Sequence, residues 1–99
     1  MSQNYRLMYD DTLLGVLTPY EYDFPWIYCN FEAKPSFAPL QPLFDTEQQF
    51  FETDDRDIEM WEKLYKPIMA LHLYLLGDNG KKIEEMLLHI SNGQAWFRF

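Results

Sequence analysis

Residues 71–99 read LHLYLLGDNGKKIEEMLLHISNGQAWFRF, and the alternation within this stretch decides the fold. Successive side chains of a β-strand point to opposite faces. Leu71, Leu73, Leu75, Met86, Leu88, Ile90, Ala95, Phe97 and Phe99 then make one clean apolar face. His72, Tyr74, Glu85, Leu87, His89, Trp96 and Arg98 make a second, mixed face. Asn92-Gly93 suits a two-residue type I′ hairpin, whose two central positions both take positive φ. That loop pairs Ser91 with Gln94, Ile90 with Ala95, His89 with Trp96, Leu88 with Phe97 and Leu87 with Arg98. A four-residue loop at 77–80 pairs His72 with Glu85. A slip of one residue would scatter the apolar set.

Pro67 leaves two readings of the segment just before this stretch. The helix continues to Leu76 through a proline kink, or it ends near Lys66 and a strand starts near Met69. An interior proline costs about 3 kcal/mol, and residues 71–75 alternate strictly, so the strand is preferred.

Outward from there, Ile58, Trp61, Leu64 and Tyr65 form a helical stripe at 3–4 spacing. Asp54, Asp55 and Asp57 precede it, where carboxylates complement a helix N-terminus. An earlier helix begins near Pro42, or at the Asp45/Gln48 capping spacing, and runs to about Thr53. Residues 5–9 and 13–18 form a hairpin around an acidic turn. Gly15 marks a bulge or a close backbone approach, and Pro19 ends that strand. Residues 19–25 connect to a third strand at 26–32, with Ile27, Cys29 and Phe31 on its core side. The expected fold is one α+β domain spanning residues 1–99, in the order β-β-β-α-α-β-β-β. N- and C-terminal hairpins build its antiparallel sheet, and two helices pack on one face.

Composition narrows function. The chain has 99 residues and 18% aromatics, enough to build one core. Sixteen acids against eight bases give a net charge of −8, which disfavours nucleic acid and anionic membranes as partners. MSQNYRLMYDD lacks an apolar signal core, and no apolar run reaches membrane length, so a cytoplasmic protein is expected.

No cofactor, metal ligand set or catalytic residue is assigned. Cys29, His72 and His89 are the only Cys and His residues, and they show no metal-ligand spacing. Asp55, Asp57 and Glu59 mimic the start of a calcium loop. Met60 and Lys66 stand where its glycine and glutamate belong. Cys29 reads as a small buried hydrophobe. The mixed face supplies the candidate interaction surface: His72, Tyr74, Glu85, His89, Trp96 and Arg98, of which Trp, Tyr and Arg are interface-enriched types. The competing reading is an ordinary solvated or covered face. Tyr20, Tyr22, Phe24 and Trp26 form a candidate pocket loop, against the alternative that their rings fold back onto the domain. The expectation is a non-enzymatic acidic interaction module that self-associates as a homodimer or binds a protein partner. The alternative is a small-molecule binder or minor enzyme with a pocket near the aromatic loop and His89.

Residues 87–99, with Phe24-Pro25-Trp26, Phe31-Glu32 and Pro42-Leu43-Phe44, resemble small uncharacterised bacterial proteins of similar length. The resemblance implies a small stand-alone bacterial α+β domain and carries no activity with it.

Overall fold

The computed structural model of the protein describes residues 4–52 and 58–98. Seven strands form one antiparallel sheet: β1 (Tyr5–Tyr9), β2 (Thr12–Asp23), β3 (Trp26–Ala33), β4 (Tyr74–Gly77), β5 (Lys82–Ile83), β6 (Leu87–Ser91) and β7 (Gln94–Arg98). A 3₁₀ helix, Pro35–Leu40, leads into α1 (Gln41–Glu52), and α2 spans Ile58–Met69. The spatial strand order is β5-β4-β1-β2-β3-β7-β6.

The sheet is curled, and two relationships show it. Tyr5 on β1 and Phe97 on β7 meet edge to face with ring centroids 5.3 Å apart. Their strands stand three places apart in the sheet, which is about 14 Å if the sheet were flat. The two edge strands, β5 and β6, are joined by residues 84–86 alone. Six flat spacings are about 29 Å, whereas four Cα steps reach about 14 Å. The edges therefore bend toward each other. The apolar set Leu75, Leu88, Ile90, Ala95 and Phe97 is buried inside the curl with Leu7, Leu17, Cys29 and Phe31.

This changes what covers what. The clean apolar face is buried by the other strands of the same sheet. The sheet dominates, and the expected packing of both helices on one sheet face is only partly met: the helices meet each other and the β6 edge. α1 packs on β6 and the 3₁₀ helix, and α2 packs on α1. Phe37 from the 3₁₀ helix meets Phe31 at 5.0 Å and Phe44 of α1 at 5.7 Å, tying these pieces to the core.

The C-terminal hairpin has the expected register, from Leu87↔Arg98 to Ser91↔Gln94, with Asn92 and Gly93 both at positive φ. The 77–80 turn differs. Leu75 pairs Ile83 and Leu76 pairs Lys82, which leaves a three-residue loop of Asp78, Asn79 and Gly80. Gly80 takes φ +83, the left-handed third position such loops use. The ladder shifts by one, so His72 does not pair Glu85. Residues 83–90 form two strands, β5 and β6, separated at 84–86.

Neither reading of Pro67 holds as written. α2 passes through Pro67 and stops at Met69, so residues 70–72 are a turn and β4 begins at Tyr74. The proline sits near the helix end, where few hydrogen bonds lie beyond it. His72, at φ 54, turns the chain out of the helix. Pro19 also does not end its strand. β2 continues to Asp23, with a bulge between Pro19 and Glu21. β1 pairs β2 no further than Leu17, so the amide Pro19 lacks is not needed on that side. The 19–25 connection is therefore mostly strand, closed by Phe24 and Pro25. α1 begins at Gln41, at the Pro42 start and not at the later capping spacing. The expected acidic lead-in, Asp54, Asp55 and Asp57, and apolar-face residue Phe99 lie outside the described residues.

Candidate functional site

The six candidate surface residues separate into three places. His89 and Trp96 are cross-strand partners on β6 and β7. His89 is buried, 6% exposed. Its ring lies 5.5 Å from Trp26, 5.6 Å from Trp96 and 6.2 Å from Tyr65. His89 Nδ1 is 2.6 Å from Glu47 Oε1 on α1, and Glu47 is fully buried. A buried carboxyl and a buried imidazole need each other, because an unpaired polar group in the interior costs several times what a made bond returns. Glu47 Oε2, Gln48 Nε2 and Trp61 Nε1 are buried without a hydrogen-bond partner among the described residues.

Tyr65 closes this cluster from α2. Its ring stacks on Trp61 at 5.2 Å, and its hydroxyl accepts the Leu88 N–H at 2.9 Å. β6 is an edge strand with one side free of sheet bonds, and the hydroxyl satisfies one of its amides. Burial pushes the Tyr65 hydroxyl above its ordinary pKa, the Leu88 bond opposes that, and the Glu47 carboxyl adds to it. The arrangement fixes the orientation of the Glu47 and His89 side chains. Its two central groups are closed to a substrate by burial.

His72, Glu85 and Arg98 come together elsewhere, on a groove of about 540 Å³ between the end of α2 and the link from β5 to β6. Ile68, Met69, Met86 and Leu87 give it an apolar floor. These three residues share a site through the helix end and not through the strand pairing expected from the sequence. Glu84, on the same rim, is paired with Lys82 at 3.2 Å. Tyr74 is at the opposite end of the strand order. Its hydroxyl donates to the Asp10 carbonyl at 2.6 Å, and Lys82 Nζ lies 4.4 Å from its ring centroid.

The candidate pocket loop is the tip of the β2–β3 hairpin. Trp26 is half-buried beside His89, with the Arg98 guanidinium 5.9 Å from its ring centroid. Tyr20, Tyr22 and Phe24 are 51%, 64% and 97% exposed. Phe24 is almost wholly exposed, while the buried Tyr5 hydroxyl, whose pKa burial raises, lies close enough to Tyr22 to be raised further.

Cys29 is buried in the curl, and burial pushes its thiol up to about 12, so the reactive thiolate is strongly disfavoured. Among the described residues no group of three or more His, Cys, Asp or Glu could hold a metal ion, and no helix is long and apolar enough to cross a membrane. Sequence reasoning missed Glu47, Trp61 and Tyr65 as members of the His89 cluster. The available signal was Glu47 three residues after Phe44, the spacing that puts a carboxyl on the apolar side of a helix. No protein-family model, curated protein or solved structure matches the chain.

Proposed function

We propose that the protein is a non-enzymatic interaction module that docks a protein partner through the tip of its β2–β3 hairpin. The observation that carries this reading is the exposure of Tyr20, Tyr22 and Phe24 within five residues. Scattered exposed apolar residues are ordinary, whereas exposed rings gathered on one hairpin tip make a candidate contact surface. Tyrosine is also an enriched and energetically dominant type in interfaces. The burial of the His89 dyad and of Cys29 favours this reading over an enzyme.

A photo-reactive phenylalanine analogue at position 24 tests the reading, with the same analogue at Lys63 as control. A discrete, mass-identified adduct from position 24, absent from position 63 and competed by unmodified protein, supports it. Light scattering tells a second copy from a different partner. A monodisperse monomer giving no discrete adduct from position 24 overturns it.

The groove favours a second reading, a small-molecule binder. Its volume of about 540 Å³ falls in the range of about 300–1,000 Å³ usual for ligand pockets. Its apolar floor and polar rim suit an amphipathic ligand. Thermal stabilisation by one metabolite class, lost in Arg98→Ala, would favour it over the first reading.

A further inference from the structure

The charge around the hairpin tip says what kind of partner it fits. β2 and β3 contain no lysine or arginine, and the acids beside the tip are Glu21 and Asp23; Asp10 and Asp11 lie at the far end of β2. Glu32 is neutralised by Lys34 at 3.3 Å. Glu21 and Asp23 are exposed and interleave with Tyr20, Tyr22 and Phe24 along the tip. From Glu21 to Asp23 the ladder places Tyr22 on the side opposite the two carboxylates, while Tyr20 sits in the bulge. The separation matters little, because charges act across a Debye length of about 8–10 Å at moderate salt. The neighbouring cation, Arg98, is already placed over Trp26. It shows in this molecule the contact that Tyr20, Tyr22 and Phe24 leave open to another chain.

On the reading that the tip docks a protein, we propose that its partner is a cationic, arginine-bearing protein segment. The guanidinium groups stack on the exposed rings of Tyr20, Tyr22 and Phe24 while Glu21 and Asp23 supply the field. Arginine fits better than lysine because its planar, weakly hydrated head stacks on an aromatic face. An uncharged or acidic segment would leave the two carboxylates uncompensated.

The test uses the intact protein and two probes, an octa-arginine and an octa-lysine peptide, titrated by Trp fluorescence or calorimetry at 50 and 200 mM salt. Octa-arginine is expected to bind several-fold more tightly than octa-lysine and to weaken at the higher salt. The triple variant Tyr20→Ser, Tyr22→Ser, Phe24→Ser keeps the net charge and is expected to lose at least tenfold in affinity. Glu21→Gln with Asp23→Asn is expected to lose a similar factor. Exchanging Glu59 and Glu62 for Gln removes two charges elsewhere and is expected to change affinity less than twofold. An unchanged far-ultraviolet spectrum and thermal midpoint verify that each variant is folded. Equal binding of the two peptides, or a ring variant within twofold of wild type, overturns the proposal and leaves a bulk charge effect. If octa-arginine fails while position 24 still gives its discrete adduct, this inference falls and the docking reading stands. If both fail, both fall.

Discussion

Glu47 Oε1 and His89 Nδ1 lie 2.6 Å apart, with both side chains buried and 42 residues of chain between them. This contact joins α1 to the edge strand β6 on the face opposite Leu88 and Ile90. It explains why β6 is buried across both faces, with Leu88, His89 and Ile90 all shielded in succession. Edge strands invite pairing with other chains, and here the edge is closed by helix side chains: Glu47 on the His89 ring and Tyr65 on the Leu88 amide.

The costs of removing Glu47 and of removing His89 should not add. Glu47→Ala takes the carboxyl away from the buried imidazole, a loss of about 3 kcal/mol for a buried pair. Glu47→Gln keeps an acceptor oxygen at the same reach and should lose less. Replacing both residues by leucine removes both polar groups together, so the double variant should lose less than the sum of the two single leucine variants. Urea unfolding of the four proteins measures this; strict additivity would mean that the two side chains do not depend on each other.

Tyr65→Phe tests how the β6 edge is satisfied. The ring and its stacking on Trp61 are kept, and the acceptor of the Leu88 N–H is removed. A buried amide left unpaired costs about 1–3 kcal/mol. Amide hydrogen exchange should show the Leu88 N–H losing protection beyond its strand neighbours, alongside a lower urea midpoint.

The 87–98 hairpin was legible because two independent signals agreed. Asn92-Gly93 specified the turn, and alternation specified the register, so all five cross-strand pairs follow from the residues alone. The sheet's curl was not legible. An apolar strand face reports that something covers it, without reporting whether the cover is a helix or the same sheet bent round. The mixed face misled for a related reason: His89 is polar and buried, and its partner Glu47 lies far away in sequence. Aromatic residues 20–24 looked like a connection because Pro19 usually stops a strand, yet β1 has already ended beside it.

The α2 terminus was misread because the alternation of Leu71, Leu73 and Leu75 masked a helix exit at His72. That exit yields a prediction. His72 holds φ 54, a conformation that costs a side-chain-bearing residue about 1–2 kcal/mol. Glycine pays no such penalty but loses more backbone freedom on folding, about 0.5–1 kcal/mol. His72→Gly should therefore raise stability by roughly 0.5–1 kcal/mol, visible as a higher urea midpoint, while His72→Val should lower it. A destabilised glycine variant would show that the His72 side chain contributes more to the groove than the backbone cost it imposes.

Gly15 is fixed by space and not by φ. A Cβ there would stand 2.5 Å from Phe31 Cε1 and 2.8 Å from the Glu32 carbonyl oxygen. The backbone atom cannot swing aside as a ring can, so even alanine forces β2 away from β3. Gly15→Ala should lose about 1–3 kcal/mol, the usual cost of overpacking, and Gly15→Val more. Adding Phe31→Leu relieves the ring contact but not the carbonyl contact. It should recover little, since it also removes an aromatic from the core. A Gly15→Ala protein melting with wild type would show that the two strands have room this geometry denies.

Cys29 makes stability fall in alkali with a sign fixed by its burial. The thiol, fully buried in the curl, is pushed from an ordinary 9.0 up to about 12. Between those values the folded chain keeps a proton that the unfolded chain releases. Stability therefore decreases as pH rises, by about 1.4 kcal/mol per pH unit for one such group. Below pH 9 its contribution is constant. Tyr5 and Tyr65, also raised by burial, steepen the decline further up, but they are present equally in Cys29→Ala. The difference between wild type and Cys29→Ala isolates the thiol. It should be flat from pH 6 to 8 and then shrink from pH 9 upward, as wild type loses stability that the variant never held. Urea unfolding at half-unit pH steps measures it. At pH 8 a thiol reagent should label native Cys29 no faster than the protein opens, so labelling should accelerate with urea. Parallel stability curves through pH 10.5, with fast labelling of the native protein, would place the thiol at the surface and contradict the packing that closes the inside of the sheet.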